Sequence, residues 1–517
     1  LARLYEERAH GKHRPINSGD GSGASQQQKV FRDTSRFGKK QHEGGKLIGI
    51  GGGMNYKDFI HNKLKTFPSA GFDINTHELN KSLFQWQKDV VRWALKKGKC
   101  ALFLDTGLGK TFCQLEWAHQ VHKKTNENIV IFAPLAVSYQ TQREGEKYGI
   151  KVHISRGMND VQSGINIANY EIMDRFDLKS FGGIVLDESS CIKHFGTKTA
   201  AELISRCRNV KYKLCCTATP APNDFMELGM HSEFLGVMKR SEMLATFFVH
   251  DGGETSKWRL KGHAETVFWK WIASWACVIK TPGDLGYSDE GYILPELKII
   301  QHIVKSEIMA TPEGQNLLFC EHAKTLNERR QARRNSLQDR VQKAAEIANK
   351  NQDQILLWCD LNIESEMLKK AINNNVEVKG SDTTEHKTNA IIDFVNKKIK
   401  AIISKSSIYG FGINLQNCHR IVFVGLNDSF ESFYQAIRRC WRFGQKEIVE
   451  VHIITSEAEG AVKKNIERKQ RDAERMTREI VKHTKDIIRN EIHQTAGIVE
   501  SYNAVEKMII PKWLEVA

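Results

Sequence analysis

The stretch LDTGLGKT at residues 104–111 carries the residue types that hold a phosphate chain. Gly107 and Gly109 permit a turn tight enough to aim backbone amides at phosphate oxygens. Lys110 can then reach β and γ phosphates, and Thr111 offers a hydroxyl to Mg²⁺. The helix expected to start here adds its positive end. A full phosphate-loop pattern has glycine where Leu104 stands. A second signal, GIVLDES at 183–189, is an apolar strand ending in paired carboxylates. At a strand's carboxyl end Asp187 suits Mg²⁺, and Glu188 suits orienting and deprotonating a hydrolytic water.

Transfer of a phosphoryl group also needs cations around the developing charge. QAIRRCWRFGQ at 435–445 supplies them far along the chain. In a helical segment Arg439 and Arg442 stand three residues apart and share a face. They reach a γ-phosphate only if a second lobe closes on the first. ATP with Mg²⁺ would favour that closure, and hydrolysis would release it.

Two sets of elements must position these groups. The runs 101–104, 128–133, 165–170, 183–187 and 212–219 are β-rich and alternate with amphipathic stretches, the rhythm of a parallel sheet covered by helices. The rhythm returns at 354–359, 400–404, 419–425 and 448–454. The expected class is therefore α/β in two lobes, 54–228 and 296–460. Residues 229–295 are expected as an aromatic-rich insertion or linker, and 461–517 as a basic helical tail. Residues 1–53, rich in Gly, Ser, Gln and charge, are expected as a disordered leader or an upstream artefact.

In the insertion, Trp271 and Trp275 fall on one helical face, where core packing is a more economical account than base stacking. Two basic runs, one with Arg329, Arg330, Arg333, Arg334 and Arg340, the other with Lys463, Lys464, Arg468, Lys469, Arg471, Arg475 and Arg478, read equally as solvated helix faces.

Bulk composition agrees with a two-domain enzyme. A chain of 517 residues exceeds one hydrophobic core, and a formal charge of +15 favours a polyanionic partner. The 11 cysteines show no zinc-finger spacing and read as reduced structural thiols. No run of eighteen apolar residues occurs. The chain reads as intracellular and soluble, without a membrane partner.

The ordered set LFQWQ (83–87), LDTGLGKT, APLAV (133–137), ANYE (168–171), LDESS (186–190), TATP (217–220), YGFGINLQ (409–416) and QAIRRCWRFGQ resembles superfamily 2 helicases of the Swi/Snf-like branch. It is most similar to the compact helicases of phages and prophages. The resemblance implies two RecA-like lobes, with ATP and Mg²⁺ as cofactors. By it Gln87 meets the adenine edge and Gln435 completes the nucleotide site. Thr217, Thr219, Tyr409, Gly410 and Gly412 couple that site to nucleic acid. Ser189 and Ser190 stand where many relatives have Ala and His.

The leading reading is an ATP-dependent translocase on duplex DNA, with RNA as an alternative track and phage or bacterial replication, repair or defence proteins as partners. Two other readings stand beside it: a strand-separating DNA or RNA helicase, and a non-catalytic nucleotide-sensing scaffold on DNA.

Overall fold

Parallel strands covered by helices on both faces are unbroken apolar runs, because neither side meets water. Seven such strands form the first sheet: β1 (Lys99–Leu104), β2 (Ile129–Ala133), β3 (Val152–Ile154), β4 (Ile165–Asn169), β5 (Gly183–Asp187), β6 (Tyr212–Cys216) and β9 (Ala276–Ile279). A small antiparallel hairpin, β7 (Phe248–His250) and β8 (Trp258–Leu260), precedes the last of them. The order is β3-β4-β2-β5-β6-β1-β9, with every pairing parallel. The structure is a computed structural model. It describes residues 67–493 apart from 135–136, 195–196, 222–223, 251–257, 305–333, 410–413, 427–428 and 457–459.

The second sheet comprises β10 (Leu297–Val304), β11 (Ile355–Cys359), β12 (Asn375–Val378), β13 (Ala401–Lys405), β14 (Arg420–Val424) and β15 (Val449–Ser456). Its order is β10-β15-β14-β11-β13-β12, again all parallel. Each sheet is packed between two hydrophobic clusters, one per face. The protein thus has two α/β lobes with parallel sheets, and a helical C-terminal region.

Six helices bear on the site: α1 (Gln85–Lys97), α2 (Lys110–Thr125), α3 (Glu265–Ala273), α4 (Leu337–Asn349), α5 (Phe430–Ile437) and α6 (Gly460–His493). In the first sheet β6 separates β1 from β5, and the register sets Leu102 and Asp187 on either side of Cys216. The loop after β1, the carboxylates after β5 and the threonines after β6 therefore emerge along one edge. That is the carboxyl edge, where open parallel sheets carry ligands.

Three expectations change. Residues 229–295 are not a separate insertion or linker, since β9 lies within them and pairs with β1 from Ala101↔Ala276 to Leu104↔Ile279. Trp269, Trp271 and Trp275 are buried around it, so packing is what the indoles do. Arg340 is no surface cation. It is fully buried in the second lobe, with Nη1 2.7 Å from Glu364 Oε1. Finally, α6 is amphipathic and docked. Ile480, Val481, Ile488 and Ile492 enter the first lobe's clusters, while Arg468, Arg471, Arg475 and Arg478 are exposed. Glu491 accepts from Trp93 Nε1 at 2.8 Å and pairs with Lys97 at 3.0 Å, tying the helix to α1.

The leader 1–53, Arg329, Arg330, Arg333, Gly410, Gly412 and residues 494–517 lie outside the described residues.

Candidate active site

The loop between β1 and α2 turns on two left-handed glycines, Gly107 (φ +95°) and Gly109 (φ +74°). Each would be strained with a side chain. At Gly109 a Cβ would also collide with the Gln87 amide nitrogen, and Gly109 caps α2 directly before Lys110 and Thr111. Gln87 is buried in α1, where its Oε1 accepts the Phe84 N–H and its Nε2 donates to Leu108 O, each at 3.0 Å. The amide therefore braces the loop, and each end keeps one further hydrogen-bonding position for the expected adenine contact.

Lys110 Nζ lies 3.5 Å from Glu188 Oε1, both side chains 13% exposed. The loop's cation and the second carboxylate thus share one cleft. Glu188 has φ +51°, a left-handed conformation rare for a residue with a side chain. Such an outlier at a strand end re-aims the side chain, and here it turns Glu188 toward Lys110. Asp187 remains buried, and its burial together with the Glu188 carboxylate pushes it up to about 6. A cation beside it would relieve that cost, so the acidic pair suits a divalent ion.

Threonines of the β6 edge reach the same carboxylate. Thr217 Oγ1 donates to Glu188 Oε2 at 3.1 Å, and the Thr219 N–H donates to Thr217 Oγ1 at 3.1 Å. Tyr409 ends a short helical turn, Ser406–Tyr409, that directly follows β13 of the second lobe.

From the second lobe, Gln435 holds Arg439: Nε donates to the Gln435 carbonyl and Nη2 to Gln435 Oε1, both at 2.9 Å. Burial, and next the adjacent Arg442, lower Arg439 to about 9, while Glu188 across the cleft opposes the shift. Burial lowers Arg442 as well. These arginines do not share a helical face, because α5 ends at Ile437 and they stand on the turn beyond it. Gln435 Nε2 is buried without a hydrogen-bond partner, a donor suited to a bound acceptor.

Arg438, which no sequence pattern singled out, crosses to the loop of the first lobe. No pattern singled out Glu431 or Tyr434 either. Arg438 stood in plain view inside RRCWR, whereas an acidic residue one turn before a motif carries no signal.

Residues 336–444 match the family described as Helicase conserved C-terminal domain. A solved structure, the Sulfolobus solfataricus SWI2/SNF2 ATPase core in complex with dsDNA, is similar at 18% identity over 81% of this chain and 98% of that one, with a TM-score of 0.37. No curated protein matches. The segment that matches a helicase C-terminal domain thus places Arg438 on the glycine-lysine loop of the first lobe, with Arg439 and Arg442 on the same turn.

Proposed function

We propose that the chain is an ATP-driven translocase that moves along duplex DNA, of the Swi/Snf-like branch and nearest the compact phage and prophage helicases. The observation that carries the ATPase part is that the loop bearing Lys110, 3.5 Å from Glu188, is touched by Arg438 of the second lobe, which stands next to Arg439. Lys110, Gly107 and Gly109 would hold the phosphates, Thr111 and Asp187 the Mg²⁺, and Gln87 and Gln435 the remainder of ATP. Mg²⁺ supplies charge neutralisation at the phosphates. Glu188 orients and deprotonates the water, with Thr217 fixing one carboxylate oxygen. Arg439, held by Gln435, and Arg442 stabilise charge on the phosphoryl group, which makes turnover depend on the second lobe.

Movement follows if each lobe grips the phosphate backbone and the cleft opens and shuts once per ATP. Backbone gripping is sequence-independent and electrostatic, in keeping with the net charge of +15. Duplex movement without strand separation is supported by the motif set and by the burial of Trp269, Trp271 and Trp275, which a stacking wedge would need at the surface. Thr217, Thr219 and the segment Tyr409 to Gly412 are proposed to pass the ATP state to DNA. The site of action would be the cytoplasm of a bacterial or phage-infected cell. ATPase rates measured with matched duplex DNA, single-stranded DNA and RNA test the reading. Strongest stimulation by duplex supports it, and stimulation by RNA alone contradicts it.

A further inference from the structure

Three arginines stand in RRCWR, and the chemistry above uses two. Arg438 caps the end of α5 and is only 4% exposed. Its guanidinium carbon lies 5.5 Å from the Tyr434 ring centre and 5.0 Å from that of Trp441, so two aromatic faces of its own lobe hold it. Nη2 reaches across the cleft, donating to Thr106 O at 2.9 Å and standing 2.9 Å from Asp105 Oδ1. The Tyr434 hydroxyl donates to that same Oδ1 at 3.0 Å, and the Thr106 N–H does so at 2.6 Å.

Asp105 and Thr106 are the first residues after β1, where the loop that carries Lys110 begins. One residue on, a Cβ built on Gly107 would lie 3.0 Å from the Phe443 backbone nitrogen. The second lobe therefore touches three successive residues of this loop. A buried guanidinium is costly unless paired, and here the pairing partner belongs to the other lobe.

We infer that Arg438 is a positioning residue for ATP turnover: held between Tyr434 and Trp441, it grips Asp105 and Thr106 and transmits lobe closure directly to the start of the phosphate loop. The inference rests on the ATPase reading of the cleft. It assigns Arg438 a task distinct from that of Arg439 and Arg442, because its contacts are with the loop and not with the phosphates. A loop held from both lobes presents Lys110 correctly only when the lobes are together.

The test is steady-state ATPase of the full chain at saturating duplex DNA, for Arg438→Ala, Arg438→Lys, Asp105→Asn and the double variant Arg438→Ala/Asp105→Asn. Loss of one charge-assisted contact made on closure corresponds to about a tenfold fall in kcat. Arg438→Ala should show that fall with KM for ATP changed less than threefold, and Arg438→Lys should recover part of it. Asp105→Asn should lower kcat in the same sense, and the double variant should be no slower than the slower single one, since both act through one contact. Multiplying effects in the double variant would overturn the inference. So would a kcat within twofold of wild type in Arg438→Ala, or a fall confined to KM. Should Arg438→Ala not fold, Asp105→Asn and Arg438→Lys decide: wild-type kcat in both overturns the inference. A wild-type chain that hydrolyses no ATP contradicts the ATPase reading itself, which separates that failure from this one.

Discussion

Ser190 Oγ of the first lobe donates a 2.9 Å hydrogen bond to Glu431 Oε1 of the second. Thr217 Oγ1 lies 3.4 Å from Ser190 Oγ and 3.1 Å from Glu188 Oε2, and Thr219 Oγ1 lies 3.4 Å from the same Glu431 oxygen. Hydroxyl groups thus link the Glu188 carboxylate to the start of α5. The departure from Ala and His at 189 and 190 gains a physical content: Ser190 is small enough to sit buried beneath Glu431, and Ser189 takes a 3.0 Å contact with His231 Nε2.

Ser190→Ala removes the 2.9 Å contact to Glu431 across the cleft and leaves that of Thr219 Oγ1 at 3.4 Å. One neutral-to-charged hydrogen bond is worth about 1.5–3 kcal/mol. We expect DNA-stimulated ATPase to fall between about tenfold and about 150-fold, with ATP affinity retained. Turnover measured beside binding of a fluorescent ATP analogue checks this, and equal loss of both would point to a damaged site.

Lys110→Ala and Glu188→Gln should fail differently. The first removes the cation proposed to face the phosphates and should weaken nucleotide binding. The second keeps the shape and binds, but lacks the carboxylate that activates water. Calorimetry with a nonhydrolysable analogue separates the two, and normal hydrolysis by Glu188→Gln would remove its assigned role.

Arg340 and Glu364 form a fully buried pair inside the second lobe, Arg340 Nη1 also donating to Val424 O at 2.9 Å. Removing one partner strands the other charge in the core, at a cost of about 3–5 kcal/mol. Arg340→Ala should lower the denaturation midpoint of the second lobe, and urea titration followed by circular dichroism measures it. An unchanged midpoint with weakened DNA binding would return Arg340 to the surface role its sequence neighbours suggested.

His302 Nε2 and His452 Nδ1 lie 3.0 Å apart between β10 and β15. Burial first, then the neighbouring His302, lower His452 to about 4; the nearby Arg420 and Lys350 act the same way and Glu450 opposes them. Burial lowers His302 too, with Lys343 adding to it. A histidine depressed in the folded chain takes its proton more readily when unfolded, so stability falls as pH drops from about 6.5 toward 4. We expect the melting temperature to decline between pH 7 and pH 5, and His452→Gln to flatten that decline. An identical slope in the variant would exclude the pair as its source.

Much of this was legible in the residues because the physics is local. Strands such as Ile129–Ala133 and Ile355–Cys359 are buried on both faces and read as apolar runs. The glycine-lysine loop and the carboxylate pair declare their chemistry by type. Short edge strands did not: Asn375–Val378 is half polar, and Ala276–Ile279 is four residues hidden behind tryptophans. Nor did direction. Arg340 belongs to a helix whose composition suits solvent, and only the packed structure shows which face meets the core. Arg438 differs from Arg439 by one position, yet its partners lie more than three hundred residues away, a pairing that no local pattern encodes.

Movement along intact duplex is the central claim, and displacement of a triplex-forming strand tests it most directly. The substrate is a duplex carrying a third strand, with the two duplex strands labelled separately. The account predicts ATP-dependent release of the third strand while the duplex strands stay paired, abolished by Glu188→Gln. Separation of the duplex strands without triplex displacement from intact duplex would contradict it and favour a strand-separating helicase.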